Sequence, residues 1–185
     1  SAASDVYKRP VVHRIPSKFH FFGFDFGFET SFNALISCCV DDAEKVLYIY
    51  DEVYMNNITD DRFSKRDDVQ KVKERSIALD KPIICDSAEP KTIKYYRQEG
   101  FYVKKCKKYI GSRLQNTKKI KRFKKIVCSP RCVNTIIELK DLVYAKDTKD
   151  EPIYDQFNID PHTFKNTTSL GAVSYTHLTL PTIRL

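Results

Sequence analysis

Asp25 lies in the middle of an alternating sequence, H-F-F-G-F-D-F-G-F, at residues 20–28. Because successive side chains of a strand point to opposite faces, this run predicts a strand with phenylalanine rings on one face. The opposite face carries Gly23, Asp25 and Gly27, and the two glycines leave room for an ion or another backbone to approach the carboxylate. An alternative is that the glycines only permit a β-bulge.

A second acid, Asp86, ends the apolar run P-I-I-C-D at residues 82–86, which predicts a short strand. If this strand pairs in parallel with the strand of Asp25 at the sheet centre, the two carboxylates lie side by side. Their mutual repulsion would be relieved by a hard cation, and oxygen ligands suit Mg²⁺ or Mn²⁺. Two such ions about 4 Å apart can activate a water and stabilise the leaving oxygen of a phosphodiester.

The positive charge of the chain is concentrated in one segment. The formal net charge is +8, yet eleven Lys or Arg residues lie between Lys104 and Lys125, and no acid occurs in residues 101–137. Such a segment is typical of polyanion binding, because neutralised phosphates release counterions. A solvated helix face is the alternative. The residues expected to contact DNA are Lys104, Lys105, Lys107, Lys108, Ser112, Arg113, Lys118 and Lys119. Ser112 could equally serve as a helix cap.

The remaining composition indicates one globular domain rather than a disordered or membrane-spanning chain, since no apolar run approaches the length of a membrane span. The cysteines are interpreted as buried free thiols. Cys128 and Cys132 have the spacing of half a zinc site, but no second Cys or His pair follows at finger-like spacing.

The order of elements predicts an α/β fold. Apolar runs at residues 33–40 and 46–54, with a polar turn between them, extend the first strand into an antiparallel meander. A helix is predicted at 63–78, with Val69, Val72 and Ser76 at helical spacing. Strand 82–86 follows, then a helix from Pro90 to Gly100 and a strand at 101–105.

Further along, the pattern predicts a basic helix at 112–125 and a strand at 126–128. Ser129 and Pro130 then open a helix whose buried stripe is Cys132, Ile136, Leu139 and Val143. Residues 147–160 are acidic and predicted to be a loop. Together, these elements predict a mixed sheet, with three antiparallel strands followed by parallel strands, and flanking helices.

Five motifs occur in an order that resembles one protein family. They are F-G-F-D-F-G-F, Y-I-Y-D-E-V-Y, I-I-C-D-S-A-E-P-K-T-I, K-K-Y-I-G-S-R and V-C-S-P-R-C-V-N-T-I-I-E-L. Over residues 20–162 the chain is similar to the C-terminal RNase H-like nuclease domain of tailed-bacteriophage terminase large subunits, and D-S-A-E-P-K is the most specific element. The resemblance implies a metal-dependent endonuclease that cuts concatemeric double-stranded viral DNA, with Asp25 and Asp86 as catalytic metal ligands.

The same resemblance implies partners and a cellular setting. These are double-stranded DNA, the terminase small subunit and the portal, in the cytoplasm of a phage-infected bacterium. Because the chain has no Walker motif, residues 1–17 are interpreted as a linker remnant from a missing ATPase domain, and residues 18–165 as the nuclease domain.

The family's third aspartate should follow His162 by three residues, but Lys165 stands there. Three explanations are open: the copy is inactive, Asp160 substitutes, or the sequence is damaged. Residues 173–182, V-S-Y-T-H-L-T-L-P-T, resemble a translated sequencing-library adapter, so residues 166–185 are interpreted as a non-native tail. We therefore hypothesise that the intact gene encodes Asp at position 165.

Other polar residues receive structural interpretations first. Glu52 is a candidate outer metal ligand, but a salt bridge at a hairpin end is favoured. Glu89 is interpreted as a helix-start acid, and His162 as a surface residue. Two alternatives to the terminase function remain: a resolvase-like or transposase-like nuclease of the same fold, and a DNA-binding module that has lost its chemistry with Lys165.

Overall fold

A six-stranded mixed sheet forms the centre of the molecule. The computed structural model describes residues 19–27, 31–86, 88–107, 120, 122–140, 144–146, 148–149, 152–157 and 172–173. Its strands are β1 (His20–Asp25), β2 (Phe32–Asp41), β3 (Val46–Asn56), β4 (Ile83–Cys85), β5 (Val103–Lys105) and β6 (Lys125–Cys128), in the spatial order β5-β4-β1-β2-β3-β6. The described helices are α1 (Asp60–Ser64), α2 (Asp67–Ala78), α3 (Pro90–Gln98) and α4 (Val133–Lys140).

The pairing directions confirm the predicted mixed sheet. Strands β1, β2 and β3 form an antiparallel meander, while β4 pairs in parallel with β1, β5 with β4, and β6 with β3. The chain between β2 and β3 makes the predicted polar turn, where the Glu44 backbone N–H donates to Asp41 Oδ1 at 3.0 Å and Lys45 has a φ of 57°. Asp41 thus replaces a backbone acceptor at the end of the strand.

The two faces of the sheet bury separate cores. One face, called here the α2 face, packs against α1, α2 and α3; its buried residues include Phe22, Phe24, Leu35, Val53, Phe63, Val69, Val72, Ile83 and Tyr96. The other, the α4 face, packs against the segment that contains α4; it buries Ala34, Ile36, Cys38, Val40, Leu47, Ile49, Cys132, Ala172 and Val173. The phenylalanine face predicted for β1 is therefore the α2 face, and Asp25 lies on the opposite side.

A β-bulge interrupts β3 at Tyr50. Ser37 of β2 pairs with Asp51, whereas the next residue, Cys38, pairs with Ile49. The extra residue on β3 changes which side chains face which side. Ile49 and Glu52 consequently face the same side of the sheet, although an unbroken alternation would separate them.

The predicted helix at 63–78 is two helices. Helix α1 begins at Asp60, and the chain leaves helical geometry at Arg66, which has extended φ and ψ of −65° and 142°. The Arg66 guanidinium donates to both carboxylate oxygens of Asp68, at 3.0 and 2.8 Å, so the break is held by a bidentate ion pair. The predicted stripe of Val69, Val72 and Ser76 is buried as expected.

Three later predictions need correction. The basic helix at 112–125 lies largely outside the described residues, but it cannot extend to its predicted end, because Lys125 begins β6. Residues 147–160 are not all loop, since β8 (Pro152–Phe157) pairs antiparallel with β7 (Tyr144–Lys146) in a two-stranded sheet. Helix α4 begins three residues after Pro130 and buries Thr135 and Glu138, while Ile136 and Leu139 are only half-buried. Val143 lies outside the described residues.

Candidate metal centre and nucleic-acid surface

Asp25 and Asp86 lie at the same end of two adjacent parallel strands. The register pairs Phe24 of β1 with Cys85 of β4; Asp25 is the last residue of β1, and Asp86 directly follows β4. Since Phe24 faces the α2 core and Asp25 pairs with Ala34, alternation places Asp25 on the α4 face. Strands β1 and β4 are interior in the sheet. The structure thus gives the neighbouring, central strand ends that the sequence predicted.

The glycines beside Asp25 can now be assigned separate roles. Gly23 pairs regularly with Ile36 on one side and Ile84 on the other, so it causes no bulge in β1. A Cβ atom at Gly27 would come within 2.5 Å of the Ser31 carbonyl oxygen and 2.9 Å of the Asn33 nitrogen. The Gly27 N–H also donates to Asn33 Oδ1 at 2.9 Å. Gly27 therefore lets the start of β2 approach closely just beyond Asp25.

Asp86 is held by the turn that follows β4. Its Oδ1 accepts a hydrogen bond from the Ala88 backbone N–H at 2.9 Å, which fixes the direction of the carboxylate. Glu89 occupies the N-cap position of α3, consistent with its interpretation as a helix-start acid, and Pro90 is in the first turn. Two oriented oxygen ligands on neighbouring strand ends suit a hard divalent cation. Within the described part of the chain, however, no three His, Cys, Asp or Glu side chains form a common metal cluster.

Strand β5 carries basic residues beside this pair. Lys104, Lys105 and Lys107 are all exposed, and Lys105 pairs with Cys85, the residue before Asp86. The Lys104 ammonium lies 5.2 Å from the centre of the Tyr102 ring. Lysines therefore flank the aspartates along the edge of the sheet. The other predicted DNA contacts, Lys108, Ser112, Arg113, Lys118 and Lys119, lie outside the described residues, as do Asp160, His162 and Lys165.

Glu52 has a different role from the predicted salt bridge at a hairpin end. It lies within β3, and its carboxylate accepts four hydrogen bonds from the first turn of α4. The donors are Asn134 N, Asn134 Nδ2, Thr135 N and Thr135 Oγ1, at 2.8, 3.1, 2.9 and 2.7 Å. An acid at this position satisfies free helix N–H groups and favours the positive end of the helix dipole. The ion pair belongs instead to its neighbour Asp51, with Arg75 at 3.5 Å.

The cysteines confirm the interpretation as free thiols. All six are unbonded, and five are buried. Burial and the nearby Glu52 carboxylate raise the pKa of the Cys128 thiol to about 12, which disfavours the thiolate that zinc requires. Cys132 donates weakly to the Ile49 carbonyl, with the sulfur 3.7 Å from the oxygen.

Sequence comparison connects this geometry to a family. Residues 25–166 match the family described as the terminase RNAseH like domain. The chain belongs to this family. It is 52% identical over 141 residues to the PBSX phage terminase large subunit of Bacillus subtilis (strain 168), an alignment that covers 76% of this chain and 31% of the relative. The chain thus spans about a third of that protein.

Solved structures of terminases share the fold. The nuclease domain of the large terminase g2p from bacteriophage SPP1, solved with bound Mn, superposes with a TM-score of 0.72 at 24% identity, covering 85% of this chain and 84% of that one. The large terminase nuclease from thermophilic phage G20c, solved with bound magnesium, gives a TM-score of 0.61 at 12% identity, covering 95% and 93%. Like these domains, the terminase family member described here has an RNase H-like sheet.

The sequence analysis did not name Glu138, and it gave Glu52 only as a candidate metal ligand or a salt-bridge partner, not as a helix anchor. Glu138 is buried on the α4 face, and Glu52 holds the helix that carries it. The signal for Glu138 was present in the sequence, because it is the first acid after the long basic segment. Glu52 gave no local signal, since its partners are more than 80 residues away.

Proposed function

We propose that this domain is a Mg²⁺-dependent or Mn²⁺-dependent endonuclease that cuts concatemeric double-stranded viral DNA during packaging. The observation that carries the proposal is the placement of Asp25 and Asp86 at adjacent ends of β1 and β4. The bound Mn of the SPP1 domain and the bound magnesium of the G20c domain support the choice of metal.

The two aspartates would hold the cations. Asp25 is held by its pairing with Ala34 of β2, and Asp86 by its hydrogen bond from Ala88. Bound ions of this kind, two in our proposal, supply an activated water and stabilise the leaving oxygen of a phosphodiester. The protein's own contribution is to keep the carboxylates aligned, so that little reorganisation is needed when the substrate arrives.

The exposed lysines would place the DNA backbone. Lys104 and Lys105 lie on the strand beside β4, and Lys107 follows it closely, so phosphates approaching the carboxylate pair would meet positive charge. Elsewhere in the basic segment, the residues proposed to continue this contact are Lys108, Ser112, Arg113, Lys118 and Lys119. Binding through phosphates implies an affinity that falls steeply with salt.

An aspartate at position 165 would complete the acidic set. Glu52 is a poor substitute, because its oxygens already accept four hydrogen bonds from α4. Asp160 remains a candidate.

The domain boundaries at residues 18 and 165 and the non-native origin of the tail also remain proposals, although Ala172 and Val173 are buried in the α4-face core. The small subunit, the portal and the cytoplasm of the infected bacterium are the proposed partners and setting.

Plasmid cleavage in Mn²⁺ tests the proposal. We compare the chain as given with Lys165→Asp, and then with Lys165→Asp combined with Asp25→Asn or Asp86→Asn. Lys165→Asp is expected to cut, and either further substitution to abolish cutting. The matched control is Asp51→Asn, which removes a carboxylate from the α2 face of the same sheet and should leave cleavage unchanged. If Lys165→Asp binds DNA but does not cut, a DNA-binding module replaces the nuclease.

A further inference from the structure

Helix α4 turns polar residues towards the sheet and leaves apolar ones exposed. Thr135 and Glu138 are 0% and 4% exposed, whereas Val133 and Ile137 are 55% and 49% exposed. Burial of aliphatic side chains normally decides how a surface helix is oriented. Burial of a glutamate is costly, so its orientation indicates a role that apolar packing does not explain.

The orientation of α4 follows from the successive contacts that its segment makes along β3. The Ser129 N–H donates to the Ile49 carbonyl at 2.8 Å, and Arg131 donates to the Tyr50 carbonyl at 3.1 Å. Asn134 and Thr135 then bind Glu52, and the Tyr54 hydroxyl donates to Glu138 Oε1 at 3.4 Å. Each step along the segment meets a residue further along β3. Helix α4 therefore continues the direction of β6, towards the strand ends that carry the aspartates.

These contacts place Glu138 and Asp25 at the same position along the strand direction. The register pairs Asp25 with Ala34, and Ala34 with Tyr54, so the three residues form one row on the α4 face. Two strand spacings of about 4.8 Å separate the backbones of Asp25 and Tyr54 by about 10 Å. Ala34, between them, is small and is buried in the α4-face core. Glu138 and Asp25 thus share one face of the sheet.

Glu138 does not join Asp25 and Asp86 in a common cluster within the described residues. The arrangement therefore does not make Glu138 a direct ligand of the ion that Asp25 and Asp86 would hold. We propose that Glu138 is a positioning residue of the metal centre, held by Tyr54, which accepts hydrogen bonds from water around the cation and adds negative charge to the site. This inference rests on the proposed metal-dependent function.

Metal affinity of the whole chain, measured by calorimetric titration with Mn²⁺, tests the inference without requiring cleavage. Glu138→Gln keeps the shape and the hydrogen bond from Tyr54 but removes the charge, and it is expected to weaken Mn²⁺ binding about tenfold, as loss of an outer partner of a metal site does. Glu138→Asp, which keeps the charge, should give an intermediate affinity. Tyr54→Phe removes only the hydroxyl and should weaken binding less than Glu138→Gln.

Two control variants separate the possible outcomes. Asp51→Asn removes a charge from the same strand but on the α2 face, and should not change the affinity. Asp25→Asn should abolish binding. If the chain binds Mn²⁺ and Asp25→Asn abolishes binding, but Glu138→Gln and Tyr54→Phe bind as the parent does, the role of Glu138 is wrong and the metal site stands. If only Lys165→Asp binds Mn²⁺, the same comparisons are made in that background. If neither the parent chain nor Lys165→Asp binds Mn²⁺, or Asp25→Asn binds normally, the proposed function itself fails.

Discussion

Thr135 donates both its backbone N–H and its hydroxyl to the same carboxylate oxygen of Glu52, at 2.9 and 2.7 Å. The two residues are 83 positions apart in the chain, so this contact joins the meander to the helix after β6. Because Thr135 is fully buried, both of its donors depend on this one acceptor group for satisfaction.

Glu52→Ala should destabilise the domain by about 2 to 4 kcal/mol, because it removes a charged helix cap and leaves buried donors unsatisfied. Asp51→Ala is the matched control on the adjacent residue. It breaks only a partly exposed ion pair with Arg75, and should cost at most about 1 kcal/mol. Urea unfolding of both variants measures the difference. Equal losses would show that α4 does not depend on Glu52.

Gly27→Ala is expected to destabilise the domain more than Gly100→Ala. At Gly27 the added Cβ meets backbone atoms of residues 31–33 at 2.5 to 2.9 Å, and these belong to the paired end of β2. At Gly100 the cost is mainly the positive φ of 81°, about 1 kcal/mol, since the nearest atom is the movable Lys73 Nζ at 3.3 Å. Thermal unfolding ranks the two variants, and the reverse order would disprove the close approach at Gly27.

Ser37→Ala should leave stability unchanged or raise it. Ser37 is fully buried, and its hydroxyl has no hydrogen-bond partner among the described residues. Ser76 is equally buried, but its hydroxyl donates to the Lys81 carbonyl, so Ser76→Ala should cost about 1 kcal/mol. Denaturant unfolding distinguishes the pair. A larger loss at Ser37 than at Ser76 would mean that Ser37 has a partner, such as a bound water.

His20 gives a predicted dependence of stability on pH. Burial lowers its pKa below the ordinary 6.5, and the charges of Arg75 and Lys81 lower it further. The folded state thus disfavours the protonated ring, and the stability that His20 contributes is complete above pH 6.5 and is lost as pH falls towards the folded pKa. His20 Nδ1 also lies 2.8 Å from the Tyr50 hydroxyl.

Unfolding curves of the parent and His20→Gln between pH 8 and pH 5 test this prediction. The stability advantage of the parent should shrink as the pH falls. An NMR titration of the His20 ring should give a pKa below 6.5 that rises in Arg75→Gln. Parallel stability curves together with an ordinary ring pKa would contradict the proposed environment.

Local sequence signals were sufficient for the central strands. Alternation in β1 identified the face of Asp25, and the short apolar run before Asp86 identified β4, because both patterns follow directly from strand geometry. The metal role of these aspartates stays a prediction. The start of α4 could not be predicted in the same way. Ser129 and Pro130 resemble a local cap, yet the group that caps the helix is Glu52 of a distant strand.

The two-stranded sheet of β7 and β8 was missed for a related reason. Residues 147–160, which include β8, are rich in acids and were interpreted as loop, whereas pairing with β7 supplies the order. Likewise, the break at Arg66 depends on an ion pair with Asp68 that helical spacing of apolar residues does not reveal. Such contacts override propensity, and a pattern of single residues contains little information about them.

The extra residue at Tyr50 determines which side chains of β3 face each side of the sheet. Ile49, before the bulge in the sequence, faces the α4 side. Glu52 and Tyr54, after the bulge, also face the α4 side. If Tyr50 were paired regularly, without the bulge, Asp51 and Glu52 would exchange sides without a change in either amino acid. The α4 side would lose its helix anchor and the Tyr54 hydroxyl together. We expect a single-residue insertion in β3 to be tolerated far less than a substitution, whereas deletion of Tyr50 would leave every other side chain on its present side.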